Sequence, residues 1–483
     1  MTDIENYIEE NRAKFIELST KVWEYAETRY QEFKSMDLLS KAFEKEGFKV
    51  QHKIADIPTA FMAEYGTGAP VIALLGEYDA LAGLSQEAIP TKKARIEDGN
   101  GQGCGHNLLG VGSLAATFAI KQLIESGKLK GTIRFYGCPA EEGGAGKTFM
   151  VQRGVFNDVD AAITWHPGSM NSVFTFNMLA RAMAIFRFKG VAAHAAGNPH
   201  SGRSALDAVE LMNVGANYLR EHIIQEARLH YVITNGGGIS PNVVPAKAES
   251  LYYVRAPKTA QVREIYDRLC KVAKGAAMMT ETEVEIIFHS GTSNLVLNET
   301  LEERMHHHLE KVGRIPFSAE DQAFAKEISK TLTEGDRFIN NIGSGASREV
   351  RKKLQEMVNG KLLMDEPSPY FRVDKAFPGS TDVGDVSWTV PTAQLFTSCH
   401  AMGTAGHSWQ IVAQGGMEIG MKGMLHAAKV MALTCHDLLA DDKFLEKVKS
   451  EFKQKLTDEP YVSPIPDNAP LPFTLENMIM PAE

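Results

Sequence analysis

The sequence predicts an α/β domain that is interrupted by an inserted α+β domain. Apolar, strand-like runs alternate with helical patterns over residues 1–182. Over residues 183–294 the order changes, and two helical patterns stand among four strand-like ones. The length of 483 residues also exceeds what a single hydrophobic core usually supports. We therefore expect a discontinuous first domain, made of residues 1–182 and 295–483, with the second domain inserted between its two parts.

The first part begins with helices and continues as alternating strands and helices. Apolar residues recur with helical spacing over residues 8–43, and Gly47 supplies a stop signal. Strand-like runs then occupy 60–65, 71–75, 132–136 and 161–165, with one long apolar helix at 107–125. Because strands that alternate with helices favour a parallel sheet, we expect a mostly parallel sheet flanked by helices. Functional side chains should lie just beyond the strand ends.

The insert and the region after it are predicted from the same patterns. Strands are expected at 183–188, 230–234, 251–254 and 284–288, and helices at 205–218 and 260–277. After residue 295 the sequence is again rich in helical patterns, and we assign residues 295–483 to the first domain. Six prolines within residues 460–483 predict an extended tail at its end.

Composition and charge narrow the classes of partner. The chain has 51 Lys and Arg against 60 Asp and Glu, a formal charge of −9, without a long run of one sign. This balance disfavours nucleic acid and anionic membranes and leaves small molecules or another protein as partners. Without a signal-peptide pattern or a run of about 18 apolar residues, we expect a soluble cytoplasmic protein. Five widely spaced cysteines suit reduced thiols better than disulfides.

Residue types that bind divalent metals are concentrated in one part of the first domain. Cys104 and His106 lie between glycines, which permit a backbone that brings both side chains together, although a tight turn burying a thiol is an equal alternative. Glu141 and Glu142 follow an apolar strand, so one carboxylate could bind metal while the other activates water. A bare pair of glutamates is more often a solvated turn. His166 follows another apolar strand, where a lone histidine is more often structural.

Further polar residues could have either a functional or a purely structural role. His407 has the same ambiguity as His166, and Asp79 could cap a turn. His194 lies in the insert and could reach a site in the first domain only across a cleft or from another subunit. For Asn242 and Arg255, spacing alone favours a turn-capping amide and a solvated guanidinium.

Two motifs are predicted to take no part in the chemistry. Residues 143–148 end in Gly-Lys-Thr, like a phosphate-binding loop, but Glu141 stands where that motif requires glycine and would repel phosphate. We therefore rank nucleotide binding low. The run of His306, His307 and His308 falls in a charged helical stretch, and we expect a solvated face there.

In combination, the motifs resemble those of the M20 metallopeptidase and amidohydrolase family, in the branch that has a cysteine in its metal site. The resemblance covers nearly the whole chain. It rests on Gly76-Glu-Tyr-Asp-Ala-Leu-Ala-Gly83, Gly103-Cys-Gly-His-Asn107, Phe135-Tyr-Gly-Cys-Pro-Ala-Glu-Glu-Gly-Gly144, Ser240-Pro-Asn-Val-Val-Pro245 and Ser380-Thr-Asp-Val-Gly-Asp-Val-Ser-Trp388. It implies a metal-dependent, exopeptidase-like catalytic domain in which the insert serves as a lid or dimerisation domain.

The resemblance also implies a role for each candidate residue. Two divalent ions would be bound by Cys104, His106, Glu142, His166 and His407. Glu141 would be the general base, and Asp79 would orient a ligand. His194 would stabilise the oxyanion from the insert of a partner subunit. Asn242 and Arg255 would hold the carboxylate of the substrate.

One position departs from the family pattern. Glu77 stands where many relatives have a histidine ligand and where this branch usually has aspartate. If Cys104 replaces that ligand, the set of five ligands is complete. If Glu77 binds metal, the set is too short.

The implied activity is the hydrolysis of p-aminobenzoyl-glutamate to p-aminobenzoate and glutamate, a step of folate breakdown. The residues themselves indicate only a site able to hold a carboxylated amide. The alternatives are a broader N-acyl-amino-acid hydrolase or dipeptidase of the same fold, and a non-catalytic partner subunit of a heteromeric hydrolase. The resemblance favours manganese, whereas cysteine and histidine ligands suit zinc. It implies a homodimer or a heterodimer with a homologous subunit.

Overall fold

The computed structural model describes residues 2–333, 346–467 and 469–472, which fall into two compact units. Unit 1 is made of the described residues of Met1–Asn177, Val296–Lys375 and Val386–Tyr461. Unit 2 is made of those of Met178–Leu295, Ala376–Asp385 and Val462–Glu483. The sequence pattern alone offered no reason to separate the last two segments from the first domain. The lid or dimerisation role of the insert stays a prediction.

The strands and helices follow the predicted order. The strands are β1 (Lys49–His52), β2 (Phe61–Thr67), β3 (Val71–Glu77), β4 (Gly131–Cys138), β5 (Ala161–Gly168), β6 (Ser172–Val173), β7 (Phe176–Met178), β8 (Ala180–Lys189), β9 (Arg228–Asn235), β10 (Lys247–Ala256), β11 (Glu283–Thr292), β12 (Val373–Phe377) and β13 (Thr392–Ser398). The helices are α1 (Asp3–Glu10), α2 (Arg12–Tyr25), α3 (Phe33–Lys45), α4 (His106–Glu125), α5 (Glu141–Gly144), α6 (Gly146–Gln152), α7 (Ala205–Leu219), α8 (Thr259–Thr280), α9 (Glu299–Val312), α10 (Ala319–Lys330), α11 (Arg348–Val358), α12 (Val383–Thr389), α13 (Trp409–Gly415), α14 (Glu418–Ala440) and α15 (Asp442–Asp458).

Unit 1 contains a seven-stranded sheet in the order β1-β2-β4-β3-β5-β13-β6. The four central strands, β4, β3, β5 and β13, are parallel to one another, whereas β1, β2 and β6 join the sheet antiparallel. The prediction of a mostly parallel sheet is therefore right for its centre and wrong for its edges. The link between β1 and β2 is too short for the crossover that a parallel pair requires.

The helix α4 is the centre of the core of unit 1. It is apolar on nearly all sides and packs against α14, α2 and the sheet. Two glycines allow this close approach: a Cβ on Gly112 would lie 2.7 Å from the ring of Trp165, and one on Gly110 would lie 2.5 Å from the carbonyl oxygen of Glu77. The indole of Trp165 donates to the carbonyl of Leu109 at 2.9 Å. These contacts fix the N-terminus of α4 against the ends of β3 and β5.

By length and composition α4 could cross a membrane. Of its apolar window, 89% is buried inside the protein, as expected of a core helix. None of the five cysteines forms a disulfide, as the sequence predicted.

The prediction for the three consecutive histidines is wrong. His306 and His308 are buried, and only His307 is exposed. The helix α9 is contacted by α14, α15 and the sheet, so more than one of its faces is covered. His308 Nε2 lies 2.8 Å from Asp437 Oδ2 in this packed region.

Unit 2 contains a four-stranded antiparallel sheet in the order β11-β8-β10-β9. The helices α7 and α8 pack on one face of it, against the alternate side chains of β8 and β10 that include Phe186, Phe188, Tyr252 and Val254. The intervening side chains, such as Arg181 and Arg255, belong to the other face. β7 and β12 form a separate two-stranded sheet.

Candidate metal centre

The candidate residues of unit 1 come from the carboxyl ends of its parallel strands. Glu77 ends β3, and it is paired in register with Cys138, which ends β4. His166 lies near the end of β5, opposite Phe396 of β13. Because parallel strands deliver their carboxyl ends to one edge of a sheet, the loops that follow them meet there.

The backbone of these loops is irregular where the sequence predicted it. Gly105, between Cys104 and His106, has a φ of 76°, a region that favours glycine. Ala140, just before the paired glutamates, has a φ of 59°, which is costly for a residue with a side chain. Its amide donates to the buried carboxylate of Glu32 at 2.9 Å, and this contact stabilises the conformation.

Five side chains predicted to bind metal form two groups that share one thiol. The ligand atoms of Cys104, His106 and His166 lie within 4.8 Å of one another, and so do those of Cys104, Glu142 and His407. Cys104 Sγ is 3.3 Å from His166 Nε2, and His407 Nε2 is 3.0 Å from Glu142 Oε1. The structure therefore brings together residues that are far apart in the sequence.

Contacts outside these groups orient the imidazoles. His106 Nδ1 is 2.9 Å from Asp79 Oδ1, and His166 Nδ1 is 2.8 Å from the carbonyl oxygen of Pro167. An Nδ1–H that donates to an oxygen leaves Nε2 available as a metal ligand. Asp79 Oδ2 also accepts the backbone N–H of Glu142 at 2.9 Å. One aspartate thus positions two candidate ligands from two different loops.

The donor atoms fit a divalent cation. Glu142 Oε1 and His106 Nε2 are buried, and neither has a hydrogen-bond partner of good geometry among the described residues: their contacts with His407 Nε2 at 3.0 Å and with Glu77 Oε2 at 3.2 Å are ion-pair contacts only. Buried polar atoms without such partners are rare in proteins and call for an ion, a water or a ligand. A set of thiolate, imidazole and carboxylate donors is one that binds zinc and similar metals.

Mutual charge effects keep the thiol ionised. Burial alone would raise the pKa of Cys104, but the imidazoles of His166 and His106 outweigh it and hold that pKa well below its usual value. Close contacts with Cys104 and Glu142 raise the pKa of His407 to about 10. Without a metal, protons on the imidazoles balance the anionic donors. A divalent cation would displace those protons, so metal binding should release protons to the solvent.

Glu77 has a partner that the sequence analysis missed. Lys147 Nζ lies 2.7 Å from Glu77 Oε1, and both side chains are buried. The lysine of the Gly-Lys-Thr motif therefore points into the protein beside the metal centre rather than toward a phosphate site. The second oxygen of Glu77 lies 3.2 Å from His106 Nε2. No local pattern in the sequence signals this ion pair, because Glu77 and Lys147 are far apart along the chain.

The two adjacent glutamates have different surroundings. Glu142 groups with Cys104 and His407, whereas Glu141 groups with Glu77 and His106. The backbone of Glu142 is not helical, with φ −69° and ψ 78°, although it lies within the short helix α5. This bend turns the neighbouring side chains in different directions, as a ligand and a base would require.

Three further candidates, His194, Asn242 and Arg255, lie in unit 2. His194 is exposed, and its Nδ1 accepts the backbone N–H groups of Ala196 at 3.2 Å and Gly197 at 3.0 Å. In the neutral ring this leaves the proton on Nε2, which can then donate to an anion. Asn242 is exposed, and its backbone carbonyl oxygen accepts a hydrogen bond from the backbone N–H of Ala195 at 2.9 Å. This bond places the loop of Asn242 beside that of His194.

Arg255 lies on β10 and is partly buried. Its Nη1 donates to Ser380 Oγ at 3.1 Å. Burial lowers the pKa of Arg255, and the charge of Arg181 lowers it further.

Comparison with known proteins gives a family and several relatives. The sequence profile of peptidase family M20/M25/M40 matches residues 73–409. The chain is 50% identical to one of the subunits of p-aminobenzoyl-glutamate hydrolase from Escherichia coli over 468 residues, 96% of this chain and 97% of that protein. It is 28% identical to Xaa-Arg dipeptidase of Mus musculus over 469 residues, 94% of this chain and 92% of that protein.

The fold is also that of a solved structure. A dinuclear metal-binding peptidase of the M20 family from Bacillus subtilis superposes with a TM-score of 0.56 at 17% identity, covering 89% of this chain and 99% of that one. The profile match spans the strand ends that carry the candidate ligands. The chain belongs to peptidase family M20/M25/M40 and is a metal-dependent hydrolase.

Proposed function

We propose that this chain hydrolyses p-aminobenzoyl-glutamate to p-aminobenzoate and glutamate. The observation that carries the proposal is the pair of donor groups that share Cys104, with the separate carboxylate of Glu141 beside them. Half of the residues are identical to those of a p-aminobenzoyl-glutamate hydrolase subunit along almost its whole length. A site with metal ligands and an adjacent base is suited to amide hydrolysis.

Two divalent ions would be held by Cys104, His106, Glu142, His166 and His407. When bound, they would polarise the amide carbonyl and acidify a water molecule. We propose manganese as the metal, with zinc as the alternative that the thiolate and imidazole donors would also accept.

The side chains of the protein perform the proton transfers. Glu141 takes a proton from the attacking water and returns it to the nitrogen of the leaving amine. Asp79 keeps His106 and the backbone of Glu142 in position throughout. From the insert of a partner subunit, His194 donates its Nε2–H to the oxyanion of the tetrahedral intermediate. Asn242 and Arg255 hold the carboxylate of the substrate.

A second candidate function is that of a partner subunit. The E. coli relative is named as one subunit of a hydrolase, so this chain would form a heterodimer with a homologous subunit or a homodimer. The third alternative is a broader N-acyl-amino-acid hydrolase or dipeptidase, as the Mus musculus relative is named for dipeptides. We further propose a cytoplasmic location, which is supported by cysteines that form no disulfide.

One assay separates these functions. The chain is purified alone, loaded with manganese or zinc, and tested against p-aminobenzoyl-glutamate, other N-acyl-amino acids and dipeptides. We expect turnover of p-aminobenzoyl-glutamate in preference to the others. Equal turnover across the panel indicates the broader hydrolase, and turnover that appears only when a homologous subunit is added indicates the partner role.

A further inference from the structure

Two arginines lie opposite each other on the face of the unit 2 sheet that does not pack against α7 and α8. Arg181 of β8 and Arg255 of β10 are paired in register, so their Cβ atoms are direct cross-strand neighbours. Both guanidinium groups lie against the ring of Tyr253, at 5.5 Å for Arg181 and 5.4 Å for Arg255. Arg181 is only 4% exposed. We call these two residues the arginine pair.

No carboxylate among the described residues lies within 4 Å of either member of the arginine pair. The contacts that the two guanidiniums make are with hydroxyl groups: Arg181 Nη1 donates to Ser290 Oγ at 2.9 Å, and Arg255 Nη1 donates to Ser380 Oγ. Like charges directly opposite each other in a sheet are destabilising, and buried charges are normally paired. The depressed pKa of Arg255 reflects both its burial and the charge of Arg181.

The same face of the sheet also carries an arginine whose charge is balanced by an acidic residue. Arg187 lies on β8 six residues beyond Arg181 and is also buried, but its Nε donates to Glu249 Oε2 at 2.9 Å. Glu249 also accepts from Thr234 at 2.7 Å, so both of its carboxylate oxygens are engaged. Within the described residues, the sheet therefore provides an acid for the arginine at one end and none for the two arginines at the other.

We infer that Arg181 and Arg255 form a site for the two carboxylates of an acidic amino acid, which makes Arg181 a determinant of substrate class. Each guanidinium is a planar fork suited to one carboxylate. The ring of Tyr253 lies next to both forks and attracts them through the negative potential of its face. Naming the ligand as the glutamyl part of the substrate rests on the proposed function; the existence of an anion site does not.

The test measures binding and turnover separately on the full-length, metal-loaded protein. Calorimetric titration with L-glutamate and L-glutamine gives the binding preference without any chemistry. We expect the wild-type chain to bind L-glutamate at least tenfold more tightly than L-glutamine, because the amide lacks the second charge. In Arg181→Met this preference should fall to about threefold or less, with partial rescue in Arg181→Lys.

Steady-state kinetics with p-aminobenzoyl-glutamate should show a KM raised roughly tenfold in Arg181→Met with little change in kcat, as expected when ground-state and transition-state binding are lost equally. Arg203→Gln, which removes a half-buried arginine paired with the exposed Glu281, is the charge control and should leave the preference unchanged.

Thermal unfolding distinguishes a ligand site from a structural role. Removing an unpaired buried charge should keep or raise the Tm of the ligand-free protein, so Arg181→Met should be no less stable than wild type. Arg187→Met leaves Glu249 unpaired and should lower the Tm while keeping the glutamate preference. A large loss of Tm in Arg181→Met with an intact preference for glutamate overturns the inference. Loss of the preference in a chain that cleaves no acyl-amino acid supports the anion site and refutes the proposed function instead.

Discussion

The metal centre of unit 1 and the arginine pair of unit 2 are two clusters of opposite charge. In the metal centre four carboxylates and a thiol share the space with three imidazoles and one lysine. In unit 2 two guanidiniums face each other with hydroxyls as their partners. The first site is mainly anionic, whereas the second is cationic.

The difference shows that the ion-pair partners of a charged side chain indicate whether its role is structural or functional. Two buried ion pairs, Lys147 with Glu77 and Arg187 with Glu249, have their charged atoms within 2.9 Å of each other. Removing one member of such a pair leaves an uncompensated buried charge and destabilises the fold. In the metal centre the anionic donors are balanced by imidazole protons that a metal would displace, and no carboxylate pairs with the arginine pair in the part of the chain that the structure describes. A cluster of one charge without a permanent counterion therefore marks a place where a ligand can bind.

The largest expected effect separates catalysis from charge balance within the metal centre. Glu141→Gln should reduce turnover by about 10²-fold or more, because an amide cannot take a proton from water. Metal content, measured by elemental analysis, should stay at the wild-type level since Glu142 rather than Glu141 groups with Cys104 and His407. Glu142→Gln is the companion variant and should lose metal. Nearly normal turnover in Glu141→Gln would rule out its role as the base.

Breaking the compensated pair should cost stability. Lys147→Met leaves the carboxylate of Glu77 buried without its cation, which should lower the free energy of unfolding by about 3–5 kcal/mol. The double variant Glu77→Gln with Lys147→Met should recover a large part of that loss. Lys121→Met is the control: its partner Glu125 is 49% exposed, so the change should cost about 1 kcal/mol or less. Denaturant unfolding measures all three, and equal losses for the two lysines would contradict the assignment.

Asp79→Asn should weaken the metal centre while leaving its ligands in place. Both carboxylate oxygens of Asp79 accept hydrogen bonds, so an amide nitrogen must face either His106 Nδ1 or the backbone N–H of Glu142. We expect metal affinity, measured by competition with a chelator, to fall about 10- to 100-fold. Asp160 makes a similar double contact far from the site, with the amide of Val71 and with Lys449. Unchanged affinity in Asp79→Asn, or an equal loss in Asp160→Asn, would contradict this role.

The effect that is smallest at neutral pH concerns a buried group that stays uncharged in the folded protein. Burial lowers the pKa of His426 to about 3, so the side chain stays neutral in the folded protein while the unfolded chain takes up a proton below about pH 6.5. Stability should therefore be full above pH 6.5 and fall by up to about 1.4 kcal/mol per pH unit as the pH drops toward 3. His426→Gln should flatten this slope, and the exposed His307→Gln should not. An unchanged slope in His426→Gln would refute the contribution.

The sequence predicted much of this arrangement because the ends of buried strands can be recognised from where apolar runs stop. Apolar runs that stop shortly before Glu142 or His166 place ligand types beyond parallel strands, and parallel strands share an edge. The antiparallel edge strands were not predicted, because short apolar runs carry no sign of their direction. His306 and His308 were predicted to be solvated because local charge cannot show that α9 is covered on several sides.

The two ion networks could not be predicted for a different reason. Glu77 and Lys147 come together only through the register of β3 and β4 and the turn into α6, and no local pattern encodes a contact over that separation. The proposed role of Arg181 likewise depends on Arg255, which lies opposite it on another strand, and on the lack of a described acidic residue beside the two arginines. Such contacts are properties of the sheet and not of either strand alone.

The place of β13 in the sheet bears on how the protein is made. β13 is the parallel neighbour of β5, yet the ribosome completes β5 at Gly168 and does not reach Thr392 until the whole insert and several helices have been synthesised. At roughly 5–20 residues per second, the nascent chain holds that strand edge open for on the order of tens of seconds. An open edge of buried, apolar strand is a template for wrong pairing. During synthesis, chaperone binding should therefore concentrate on chains stalled between these two strands.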